Sequence, residues 1–143
     1  RKTGVLKALQ EADINVPTEW MLETPYSISD AKNDARELFL KQTRPTALIC
    51  GNDVLAAGAL YAVTATGLSA PDDITVVGIG DFQGSSEIEP SLTTVRLPAR
   101  KIGEETANAL AAAIVSFNTE PIISMNCVPK LIKRGSSAAP RSD

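Results

Sequence analysis

The 143-residue chain contains no histidine, and that absence removes whole classes of chemistry. Ser-His-Asp and Cys-His catalysis need an imidazole base, and an HExxH zinc site needs two imidazole ligands. Cysteine is nearly as scarce, with Cys50 and Cys127 far apart in apolar, strand-like runs. Two distant thiols build neither a structural zinc site nor a disulfide framework, so buried, reduced cysteines and no metal are expected. Aromatics are few, and the formal net charge of −3 leaves no basic stripe for gripping nucleic acid. No apolar run approaches the ~20 residues of a membrane-spanning helix, so no membrane partner is expected. The chain opens on Arg1 inside a helical pattern, which raises the expectation of a longer parent polypeptide.

What is present is a regular alternation of elements. Val5, Leu6, Leu9 and Ala12 fall on one face of a helix over Lys2–Asp13. A Pro turn leads to a short expected strand around Trp20–Glu23, followed by Tyr26 on a loop. Ser29 or Asp30 is placed to cap a helix over Ala31–Lys41, with Ala35, Leu38 and Phe39 on its apolar side. Thr46–Cys50 reads as a buried strand ending at Gly51, and Asn52 or Asp53 caps the helix that follows and stops at Gly67. Ile74–Ile79 is apolar on both faces, as inside a parallel sheet. "LTTVRLP" is extended, Pro98 opens a helix over Ala99–Ser116, "PIISMNCVPKLIKRG" reads as a strand, and "SSAAPRSD" as a frayed end. Strands alternating with helices imply an open, mostly parallel α/β sheet.

In such sheets ligands sit beyond the carboxyl ends of the strands. Three strand ends carry polar groups here: Glu23-Thr24-Pro25-Tyr26, Gly51-Asn52-Asp53 and Gly80-Asp81. The segment "GIGDFQG" is one residue too long for a dinucleotide G-x-G-x-x-G. It also sets a charged Asp81 where a pyrophosphate needs bare amides. Asp53 is either a helix N-cap or a site residue, with capping the simpler reading. Asn52 suits hydroxyl groups because an amide both donates and accepts. Asp81 either closes its own loop as an Asx-turn or faces a ligand. Tyr26 is either a surface aromatic or a platform for the C–H face of a sugar.

Three blocks, "RPTALICGNDVLAAGALYAVTATGLSAPDDITVVGIGDF", "PSLTTVRLPARKIGEETANAL" and "PKLIKRGS", resemble the LacI/GalR family of bacterial transcriptional repressors in sequence, order and spacing. The resemblance runs from Arg1 to about Ser137. It implies a periplasmic-binding-protein-like (type I) effector domain, seen here as its C-terminal lobe with segments returning to the N-terminal lobe. The implied division is residues 1–95 in the C-terminal lobe, 96–126 packing in the N-terminal lobe, and 127–143 returning to the C-terminal lobe and tail. It further implies a cytoplasmic homodimer that reads operator DNA through an N-terminal domain lying outside this chain, with no cofactor.

Carried over residue by residue, Arg1 matches the arginine that grips effector oxygens, and Tyr26 the aromatic that stacks on the ligand ring. Asn52 matches a polar position of the effector site, and Asp53, counted with the effector-binding candidates, matches the family's acid at the helix start. Gly80 departs from the family pattern, which has aspartate there, and Asp81 matches the following position. Losing a carboxylate beside an arginine favours an anionic effector, and the resemblance of "GIGDF" to the branch of the family with gluconate-type regulators implies a sugar acid such as gluconate over a neutral sugar. Dimer contacts are expected from Ala56, Ala59 and Leu60 on the helix Val54–Ala65, and from Phe82 and Ile88 in the loop after Asp81. A periplasmic sugar-binding protein of a transporter is the competing reading, and an upstream signal peptide or helix-turn-helix separates the two. Enzyme activity has only scattered carboxylates and Arg1 behind it. If residues 96–126 belong to an absent lobe, the Ile102–Leu110–Phe117 stripe must lie exposed or be covered by another surface.

Overall fold

The computed structural model describes residues 1–116 and 127–139. Its spine is a four-stranded sheet in the order β1 (Ala47–Ile49), β2 (Thr75–Gly80), β3 (Thr93–Arg96), β4 (Lys130–Ile132). The first three strands run parallel, with Leu48 opposite Val76 and Ile79 opposite Val95. The last is antiparallel, with Leu131 opposite Val95. The open, mostly parallel sheet expected from the alternating pattern is therefore present.

Helix α1 covers Lys2–Glu11, α2 Ile28–Phe39, α3 Asp53–Ala65 and α4 Ala99–Ser116. Helix α3 lies on β2, and α2 packs on α3. Gly58 permits that helix contact, since a Cβ there would stand 2.6 Å from the Ala31 methyl and from the Ile28 carbonyl oxygen. Leu38, Phe39, Val63, Ile74, Val76 and Leu92 fill the space between these layers. Each such side chain stabilises the fold by ~1.5–3 kcal/mol through burial. The small residues Ala56, Ala59 and Ala62 give α3 a smooth inner face that approaches both neighbours closely.

Several expectations need correction. Residues 20–23 form no strand: Pro17 leads into a 3-10 helix at Thr18–Trp20, Met21 is extended, and residues 21–24 make no strand pairing. A strand needs a bonded edge, and a hollow of about 640 Å³ separates this segment from β1. Helix α2 begins earlier than expected because Ser27, not Ser29 or Asp30, is its cap and accepts from the Asp30 amide at 3.3 Å.

Ser136, read as the start of a frayed end, is fully buried. Its hydroxyl donates to the Val76 carbonyl at 2.6 Å and accepts from the Thr93 amide at 2.8 Å, tying the chain after β4 to β2 and β3. Cys50 is buried as expected, whereas Cys127 is half-buried; both are free thiols. Helix α4 has the expected bounds and carries no buried residue among those described, with Leu110, Ile114 and Val115 exposed. Phe117 and the expected strand residues 121–126 lie outside the described residues. No described helix is long and apolar enough to cross a membrane.

Candidate functional site

The carboxyl ends of β1 and β2 form the polar edge that strand patterning anticipates. At the first, Arg1 folds back so that its Nη1 donates to the Gly51 carbonyl at 2.6 Å, joining residues fifty positions apart. Lys2 and Glu23 face each other at 3.4 Å, and Thr24 donates to Asp34 at 2.7 Å, holding the loop before α2. Tyr26 stands on that loop with 66% of its surface exposed, so its ring is open to a partner.

Asn52, not Asp53, caps α3. Its backbone is extended and its Oδ1 accepts from the Leu55 amide at 2.9 Å. The alternative assignment of Asp53 as cap is thereby corrected. Asp53 has 4% exposure and reaches from the start of α3 to the next strands. Its carboxylate accepts from the Phe82 amide at 2.9 Å, the Ser85 hydroxyl at 2.7 Å and the Thr94 hydroxyl at 2.5 Å. These charge-assisted bonds offset the cost of burying the carboxylate. Gly78 is required beneath them, because a Cβ would collide with the Asp53 carboxylate. The burial of Cys50, and then the Asp53 charge, push its thiol from 9.0 up to about 12. It therefore stays protonated and unreactive.

At the end of β2, Gly80 has φ 143 and Asp81 φ 54, a left-handed pair that re-aims the chain. The Phe82 ring lies where a side chain on Gly80 would project. The structure thus fills the space freed by the missing carboxylate with an aromatic edge. Asp81 does not swing into that space. Its side chain is 7% exposed and is bonded to Arg134 Nη2 at 2.7 Å and to Arg96 Nε. Burial alone would push the Asp81 carboxyl up, but the bonds and charges of Arg134 and Arg96 outweigh it and hold it below the ordinary carboxylate value. The Asx-turn reading is superseded, since the carboxylate closes an ion-pair triad rather than its own loop. Arg134 is anchored in turn through Nη1 to the Leu92 carbonyl at 2.8 Å.

The edge is divided. Arg1, Thr24 and Gly51 line the 640 Å³ hollow beside β1. Gly80 and Asp81 line a second hollow of about 530 Å³ together with Arg96, Arg100, Lys101 and Glu104. Tyr26 and Asn52 line neither. The expected dimer residues Ala56, Ala59 and Leu60 are corrected as well. They are buried in this chain's own core, at 0%, 1% and 5% exposure, and present no surface to a second copy. Ile88 packs half-buried against the same core, while Phe82 and Tyr61 are exposed. Sequence reasoning missed Arg96 and Arg134. Their only signal is basic charge beside an extended run that patterning alone does not bring next to Asp81. No described group of His, Cys, Asp or Glu is placed to hold a metal.

Residues 1–137 match the model of the periplasmic binding protein-like domain. Over 138 residues the chain is 36% identical to the HTH-type transcriptional repressor PurR of Escherichia fergusonii, covering 96% of this chain and 40% of that protein. The PurR repressor of Yersinia pestis (strain Pestoides F) is 35% identical over the same length and coverage. Among solved structures, a LacI transcriptional regulator of Bacillus cereus subsp. cytotoxis superposes with a TM-score of 0.90 at 28% identity, covering 96% of this chain and 49% of that one. The lac repressor dimer bound to operator and the anti-inducer ONPF gives a TM-score of 0.87 at 28% identity, covering 97% and 47%. The chain thus spans 40% of the length of these curated relatives. With sheet order and sequence in agreement, the chain belongs to the periplasmic binding protein-like domain family, and its likeness is to the effector-binding domain of LacI/GalR-type regulators.

Proposed function

We propose that this chain is the effector-sensing and dimerising part of a cytoplasmic LacI-type repressor that binds a sugar or sugar acid and performs no catalysis. The observation that carries the reading is the strand-end edge, where Arg1 is drawn to Gly51 at the tip of β1. It occurs in a chain whose curated relatives are repressors. Arg1 offers its remaining guanidinium hydrogens to effector oxygens, and Tyr26 offers an open ring to a sugar face. Gly80 and Asp81 form the rim at β2. Asn52 and Asp53 shape the edge, one as a helix cap and the other as an internal tie, rather than touch the effector. Strands β1 to β4 belong to one lobe, and α4 packs in the other, which accounts for the bare sides of α4.

Effector binding favours one arrangement of the two lobes and shifts the population toward it. In a homodimer that shift changes the spacing of the DNA-reading domains of the longer protein on operator DNA. The dimer face combines Phe82, Ile88 and Tyr61, the apolar side chains that the fold leaves at least partly accessible here. Calorimetry of the intact protein against D-glucose and D-gluconate tests the reading. Saturable binding of at least one is expected, and a folded protein that binds neither overturns the choice of effector class. A signal peptide upstream of Arg1, in place of a helix-turn-helix, would overturn the repressor assignment itself.

A further inference from the structure

We infer that the effector is a monocarboxylate and that Arg96 receives its acid group. The inference deepens the effector reading above and rests on it. Arg96 is the last residue of β3 and the register partner of Gly80, so it stands beside a strand-end position that has no side chain. Its Nε is committed to Asp81, and Asp81 is fixed from behind by Arg134, whose side chain is only 16% exposed. The Arg96 side chain is 54% exposed. Anchored at Nε, it has the ends of its fork left for a ligand, and a fork held at one edge loses less freedom on binding.

The charges around the 530 Å³ hollow favour the same ligand. Arg96, Arg100 and Lys101 line it against Asp81 and Glu104, three cations to two carboxylates. Arg100 is already engaged by Glu104 at 2.8 Å, as Arg96 Nε is by Asp81. Asp81 is shared between Arg96 and Arg134, so its one negative charge does not neutralise Arg96, which keeps positive charge toward the hollow for an acid group. A carboxylate at position 80 would oppose such a ligand, and the Phe82 ring occupies the space in which it would stand.

The test is calorimetry on the intact protein with D-gluconate, D-glucose and D-glucose 6-phosphate. The wild type is expected to bind gluconate most tightly. In Arg96→Gln, gluconate affinity should fall about tenfold to a hundredfold, the range for losing a charge-assisted contact, while glucose affinity stays within about twofold. Arg96→Lys should recover part of the loss and show that charge, not folding, is responsible. Equal losses for gluconate and glucose, no change in either, or tightest binding of the phosphate would each overturn the inference. Binding of glucose with no preference for the acid would also overturn it while leaving the effector reading intact. Binding of none of the three would instead remove the reading on which it rests.

Discussion

The junction of α3, β2 and β3 and the two outer helices obey the same physics with opposite results. At the junction, Asp53 is buried and bonded to the buried Ser85 and Thr94, buried Ser136 ties the backbones of β2 and β3, and no buried side-chain polar atom among those described lacks a partner. Among the described residues, helices α1 and α4 carry no buried residue, and Leu6, Leu110, Ile114 and Val115 remain exposed. The junction is complete within this chain. The outer helices keep apolar faces that the described residues of this chain do not cover. Stability should therefore concentrate in the first region, while the second adds little to the folding of these residues.

The strongest way to break that contrast is Asp53→Ala. It leaves the Phe82 amide and the Ser85 and Thr94 hydroxyls without their shared acceptor. A loss of roughly 3–5 kcal/mol is expected in urea unfolding followed by circular dichroism. A loss near zero would mean that water replaces the carboxylate and that the junction is not the stable centre.

A middle-sized effect should appear with pH. Because the folded-state pKa of Asp81 is depressed, its contribution is fully present above its unfolded value and is lost as pH falls through the lower folded value. The wild type should lose more stability than Asp81→Asn on acidification below about pH 4. Parallel pH profiles for the two proteins would show that the ion-pair triad contributes no linkage.

The smallest effect is expected in the second region. Leu110→Ala, at a site 53% exposed on α4, should change the stability of this chain by less than ~0.5 kcal/mol. Leu38→Ala, at 1% exposure, serves as the core control and should cost roughly 2–5 kcal/mol. Similar losses for the two leucines would erase the contrast.

Legibility in the sequence followed the range of the interactions. Helix α4 could be bounded at Ala99 and Ser116 because Pro98 and an apolar periodicity are local signals. The core side of α2 was equally readable from Ala35, Leu38 and Phe39. The candidate site was only half readable. Polar clusters at strand ends mark an edge, but residues thirteen to sixty positions apart decide what each cluster does. Asp53 looks like a helix cap until Thr94 and Ser85 are brought to it. Asp81 looks like a loop residue until Arg134 arrives from fifty-three positions away. The alanines of α3 pass for an interface when their burial under α2 is unknown.

By itself, the sequence determined the alternating elements, the parallel sheet, the polar edge and the exclusion of histidine-based chemistry. All of these follow from composition or from periods of a few residues. Tertiary structure alone decided which carboxylate is an internal tie, which arginine is left facing a hollow, and which apolar residues are core. Those outcomes depend on contacts between distant segments, where burial makes a charged or polar group retain only the role its neighbours can satisfy.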